Sequence, residues 1–106
     1  MLVVSRFRVG DDDAETFRAD LERAHALLAD RPGYLAGHVG RSMDEPDLWV
    51  LVTTWEHVGA YRRALSSYDV KAGAVPLLSR ALDEPSAYEA VQPGADLNVA
   101  HSRSLG

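Results

Sequence analysis

Residues 48–56, which read LWVLVTTWE, constrain this chain more than any other stretch. Successive side chains of a strand point to opposite faces, so a half-buried strand alternates apolar and polar residues. Here both phases carry bulk. Leu48, Val50 and Val52 share one face, while Trp49, Leu51 and Trp55 share the other. A strand that is apolar on both sides needs cover on both sides. The helical segments described below suffice for one, so the second face is expected to meet another subunit.

The 106 residues make one domain with a modest core of its own. Hydrophobic residues at 46% and charged residues at 25% are ordinary for a globular chain. A net charge of −5 with no basic stripe argues against nucleic acid as the partner. The absence of cysteine excludes disulfides, zinc–thiolate sites and thiol catalysis. The chain starts directly in a strand pattern, without the basic and apolar segments of a signal peptide. No apolar run approaches the ~20 residues that span a bilayer. A cytoplasmic protein without a membrane partner is the expectation.

Residues 2–9 alternate as a first strand, with Val3, Ser5, Phe7 and Val9 on one face and Leu2, Val4, Arg6 and Arg8 on the other. Gly10 ends it, and one of Asp11, Asp12 and Asp13 is placed to cap the following helix. In that helix Phe17, Leu21, Ala24 and Leu28 form one apolar stripe, stopped by Arg31, Pro32 and Gly33. Residues 34–42 read as a second strand, interrupted by Gly37 and Gly40, where a bulge could flip the phase. Residues 43–47 form a hairpin loop into the doubly apolar strand. Helical pattern resumes near Val58, breaks at Ser66 and Ser67, and continues through Val70, Ala74, Leu77 and Leu78, with Pro76 expected to kink or end it locally. Residues 86–91 make a short last strand. The order is β-α-β-β-α-β over a domain of residues 1–91, followed by an unpatterned tail, residues 92–106, that is mobile or ordered by a partner. This is the α+β ferredoxin-like arrangement: a four-stranded antiparallel sheet with helices on one face. Two such sheets packed face to face would close into a barrel.

No phosphate loop, nucleophile elbow or HExxH motif occurs. His25, His57 and His101 lie at a helix surface, a helix start and the tail, without metal-ligand spacing. His38 stands mid-strand among glycines, where its side chain can reach a pocket; a hydrogen-bonded sheet histidine is the plain alternative. Ser5 is the small polar residue on the Val3–Phe7 face, a candidate ligand contact or a serine satisfied by backbone. Arg6 and Arg8 on the opposite face require an acidic partner at a subunit seam, for which Glu89 is a candidate. Trp55 suits the core. Tyr61 and Tyr68 carry hydroxyls that seek partners when buried and are candidates to orient or protonate a substrate.

These residues resemble the antibiotic biosynthesis monooxygenase (ABM) family. The resemblance is carried by residues 32–39 (PGYLAGHV), residues 52–56 (VTTWE), an aromatic at Tyr61, and Ser67 and Lys71 at the family's spacing. It implies a homodimer forming a dimeric α+β barrel, with a cavity between sheet and helices in each subunit. It further implies a cofactor-independent monooxygenase, using neither metal nor flavin, that acts on a small aromatic or polyketide-like substrate. On that reading His38, Tyr61 and Tyr68 are the catalytic candidates, and Ser5, Phe7 and Trp55 line the substrate site. Other members degrade haem, but counting from Trp55 their tryptophan and histidine positions fall on Ala64 and Ala74, and their asparagine position on Ser5. An alanine cannot ligate iron, so haem degradation is disfavoured. The alternative is a non-catalytic homodimer of the same fold that binds a small apolar molecule or regulates.

Overall fold

A computed structural model describes residues 1–97, and His101 with the rest of residues 98–106 lies outside them. The elements are β1 (Leu2–Arg8), a 3-10 turn (Asp11–Asp13), α1 (Ala14–Ala29), β2 (Tyr34–Arg41), β3 (Leu48–Trp55), α2 (Val58–Ser66), α3 (Tyr68–Gly73), α4 (Val75–Leu78) and β4 (Ala87–Tyr88). The strands form one sheet in the order β2-β3-β1-β4, and each neighbouring pair is antiparallel. This is the expected α+β ferredoxin-like architecture. No helix among the described residues is long and apolar enough to cross a membrane.

The two phases of β3 meet different surroundings. Trp49, Leu51, Thr53 and Trp55 are buried, whereas Leu48, Val50, Val52 and Thr54 are half-buried. β1 divides in the same way, with Val3, Ser5 and Phe7 buried beneath the helices. Phe17, Leu21, Ala24 and Leu28 of α1, Ala60 and Ala64 of α2, and Val70, Ala74 and Leu77 beyond them complete the core. In register, Val4 of β1 pairs with Val52, which pairs with His38 of β2, so these three share the open face.

Several local expectations are corrected. Asp13 is the N-cap of α1 without a side-chain capping bond, so the three aspartates act only as negative charge at the positive end of the helix dipole. The helical run does end beside Pro76, between α3 and α4, but no helix is kinked: Pro76 stands in the first turn of α4, where its missing N–H is not needed. The last strand is the two residues of β4, because Pro85 precedes it and only Ala87 and Tyr88 pair with β1. The chain nevertheless tracks β1 further back, through Val4 N–H to Ser86 O and Leu82 N–H to Arg6 O. The acid that holds Arg6 is Glu84, not the expected Glu89, with two contacts of 2.7 Å. Glu84 lies upstream of the shortened strand, and Arg8 reaches Glu45 and Asp47 in the hairpin loop.

Gly33 fixes how α1 returns to the sheet. Its φ is +89°, and a Cβ there would stand 2.4 Å from the Ala60 Cβ on α2. The Gly33 carbonyl also accepts from Glu56 N–H at 2.8 Å. The turn is thus seated directly on the start of α2. Gly33→Ala should destabilise the fold by about 2 kcal/mol or more, combining the left-handed penalty with overpacking. Urea denaturation followed by circular dichroism measures it, and an unchanged midpoint would contradict this account.

Candidate active site

The α1 stripe buries Leu21, Ala24 and Leu28, which leaves His25 half-buried at its edge over β2. Tyr34 opens β2 immediately after the Gly33 turn. A register shift between Tyr34 and Ala36 places a bulge at Leu35, and it aims Tyr34 toward the helices opposite Trp55. The Tyr34 hydroxyl and His25 Nε2 lie 2.7 Å apart. Room for this pair depends on Gly37, since a Cβ there would come 2.6 Å from the Tyr34 hydroxyl and 2.7 Å from His25 Nε2.

Burial, and secondarily the charge of His38, lowers the His25 pKa from its ordinary value. Burial raises Tyr34 and Tyr61. At neutral pH the pair is therefore a neutral imidazole facing a protonated phenol, joined by a hydrogen bond whose direction follows the tautomer. Such an imidazole can accept a proton, and the hydroxyl can relay one.

Of the residues named from the sequence, the fold brings Trp55 and Tyr61 into this neighbourhood. Tyr34 meets Trp55 edge-on at 5.5 Å, and Trp55 meets Tyr61 at 5.5 Å. The Trp55 Nε1–H donates to Thr53 Oγ1 at 2.9 Å, which locks the indole. Ser5 and Phe7 share the same interior face, and Phe7 is locked further along it against Phe17 at 5.2 Å. His38 and Tyr68 are not brought in. The bulge at Leu35 puts His38 on the open face, exposed. Tyr68 is 82% exposed because Val70 and Ala74 take the buried side of the segment after Ser67.

Aromatic side chains fill the interior around Phe17. Phe17 bridges Phe7 and Trp49, the latter at 5.8 Å, and Leu21 is fully buried among them. Among the described residues, surface clefts of about 290, 430 and 580 Å³ occur, and none of these is lined by a residue of β1, β2 or β3. Trp49 Nε1 is shut off from solvent without a hydrogen-bond partner. Ala64 and Ala74 are buried core methyls, so neither position fits haem ligation. No cluster of metal-ligating side chains occurs among the described residues.

Sequence reasoning passed over His25 and Tyr34. The signal for His25 was its place four residues after Leu21 and three before Leu28, on the flank of the buried stripe. The signal for Tyr34 was the aromatic directly after Pro32 and Gly33.

The lowered His25 pKa carries a pH dependence with a defined sign. The folded chain binds fewer protons than the unfolded chain just below about pH 6.5, the ordinary imidazole value. This share of stability is complete above that pH and is lost as pH falls through the lowered value. Urea midpoints at pH 7.5 and pH 5 should therefore differ less in His25→Gln than in the parent. Equal pH dependence in both proteins would contradict the assignment.

Residues 1–75 match the family model described as antibiotic biosynthesis monooxygenase. The structure is similar to SnoaB, a cofactor-independent oxygenase from Streptomyces nogalater, at 27% identity and a TM-score of 0.70, covering 86% of this chain and 92% of that one. It is also similar to a conserved protein from Methanosarcina mazei Go1, at 20% identity and a TM-score of 0.66, covering 81% and 84% of the two chains. No curated protein matches the sequence. By the extent of the family match, the chain belongs to the antibiotic biosynthesis monooxygenase family.

Proposed function

We propose that the protein is a cofactor-independent monooxygenase acting on a small aromatic or polyketide-like substrate. The observation that carries the reading is the His25–Tyr34 pair set against Trp55 and Tyr61, in a chain similar over most of its length to a cofactor-independent oxygenase. In the reaction a ring CH₂ flanked by phenolic rings loses a proton, and the resulting carbanion reduces dioxygen. The CH₂ becomes C=O, one oxygen atom enters the product and the other leaves as water. The substrate supplies the electrons. His25, directly or through Tyr34, takes the first proton, and the protonated Tyr61 hydroxyl orients the substrate oxygen. His38 and Tyr68 have no part in this arrangement within one chain.

The aromatic contacts that fill the interior around Phe17 bear against turnover there and keep open a second reading, a non-catalytic small-molecule-binding or regulatory homodimer of the same fold. One experiment separates the two. Aerobic incubation with an anthrone should form quinone faster than buffer, and His25→Gln should lower the rate about 100-fold or more, the usual contribution of a general base. Tyr34→Phe should lower it less. Rates equal to buffer would leave only the binding role.

A homodimer through the open sheet face belongs to the same proposal. Leu2, Val4, Val50 and Val52 present half-buried apolar surface there, beside the Arg6–Glu84 pair. Val52 lies in the middle of this face, so Val52→Lys should convert a two-chain species to one chain in sedimentation. Two chains retained in the variant, or one in the parent, would refute this seam.

A further inference from the structure

The seating of Gly33 on Ala60 has a second effect. It holds Arg31, at the end of the same turn, against the surface of α2. There a cleft of about 430 Å³ is lined by Arg31, Arg62, Arg63, Ser66 and Ser67. Three guanidinium groups border it and no carboxylate does. This is unusual in a chain with 16 acidic and 11 basic residues. Arg6, Arg8, Arg18 and Arg23 each hold an acid, whereas Arg31, Arg62 and Arg63 form no ion pair among the described residues. Arg31 Nε is moreover cut off from solvent and has no hydrogen-bond partner. Buried donors are normally satisfied, so this guanidinium carries an unmet hydrogen-bonding demand beside two further cations.

The hydroxyls do not fill that need. Ser66 Oγ donates to Arg62 O at 3.1 Å, and Ser67 Oγ donates to Ala64 O at 2.7 Å. Their protons are committed to helix carbonyls, so the donors that remain are guanidinium N–H groups. These form planar forks that match tetrahedral and planar oxyanions two bonds at a time. A carboxylate brings one charge to three cations. A phosphate monoester brings about −1.5 to −2 near pH 7, with three acceptor oxygens. The cleft falls in the roughly 300–1,000 Å³ range of small-ligand sites. The acidic balance of the whole chain opposes a polyanion extending beyond it.

We propose that the Arg31–Arg62–Arg63 cleft is a binding site for the phosphate group of a small phosphorylated molecule. The site is separate from the His25–Tyr34 pair, and its occupancy is read without turnover.

The test titrates the full chain with phenyl phosphate, inorganic phosphate and acetate at matched ionic strength, following arginine Nε–H and backbone resonances by ¹H–¹⁵N NMR. Phenyl phosphate should shift the Arg31 Nε–H and the Ser66 and Ser67 amides saturably, at least tenfold more tightly than acetate. Equal affinity for inorganic phosphate would assign the whole interaction to the phosphate group, and weaker affinity would assign part of it to an organic ester. The double variant Arg62→Gln, Arg63→Gln, whose altered side chains are exposed, should keep the remaining spectrum and bind at least tenfold more weakly. Shifts that never saturate, acetate binding as tight as phosphate, or a double variant that binds like the parent would each overturn the site.

Discussion

The contact between Gly33 and Ala60 is the point on which the functional half of the molecule hangs. A glycine in the left-handed region meets the methyl group of α2 with no room for another carbon, and its carbonyl takes Glu56 N–H where β3 passes into α2. One short turn is therefore pinned to the strand–helix junction from two directions. The residue after the glycine, Tyr34, begins β2 opposite Trp55 and reaches His25. Arg31, on the other side, is laid beside Arg62 and Arg63. The hydrogen-bonded pair and the cationic cleft are two outcomes of a single close approach, and both require small residues at positions 33 and 60.

The sheet sets the other constraint. β3 lies between β2 and β1, and its helix-facing phase is closed by α1 and the broken helical run after it. Its outer phase is closed by nothing among the described residues. Along that face the charges are already matched, since Arg6 is bound by both oxygens of Glu84. A bidentate pair that carries no net charge is far less costly to cover than a lone guanidinium, although desolvating it still offsets much of its own attraction. An apolar surface with its ions internally paired is compatible with face-to-face packing of two sheets.

The parts of this design visible in the sequence were those governed by short periods. Alternation by two separates Trp49, Leu51 and Trp55 from Leu48, Val50 and Val52, and spacing by three and four collects Phe17, Leu21, Ala24 and Leu28. Both patterns report local geometry, so they survive into the fold. What failed depended on where a period is interrupted. The glycines of β2 announced an irregularity without locating it, and a bulge at Leu35 decides that Tyr34 faces the helices while His38 faces out. Tyr68 follows a helix break at Ser67, and the rotation of the new helix about its axis exposes it. Glu84 replaced Glu89 as the partner of Arg6 because the antiparallel register sets Leu2 opposite Tyr88, which brings Glu84 rather than Glu89 level with Arg6, and register is not encoded in composition.

The electrostatics of the candidate site limit what chemistry it can support. Burial makes His25 a weaker base and Tyr34 and Tyr61 weaker acids than in water. Proton transfer from Tyr34 to His25 is opposed on both sides, so the pair rests as a neutral hydrogen bond rather than as an imidazolium–phenolate ion pair. A site of this kind does not force ionisation on a reluctant molecule. On the proposed reading it would accept a proton from a substrate that is already acidic. Substrates whose C–H bonds lie between phenolic rings meet that condition, because ring conjugation delocalises the charge their deprotonation leaves. On the proposed reading, with the electrons supplied by such a substrate, the chain would need only to position it and hold one proton at His25 Nε2.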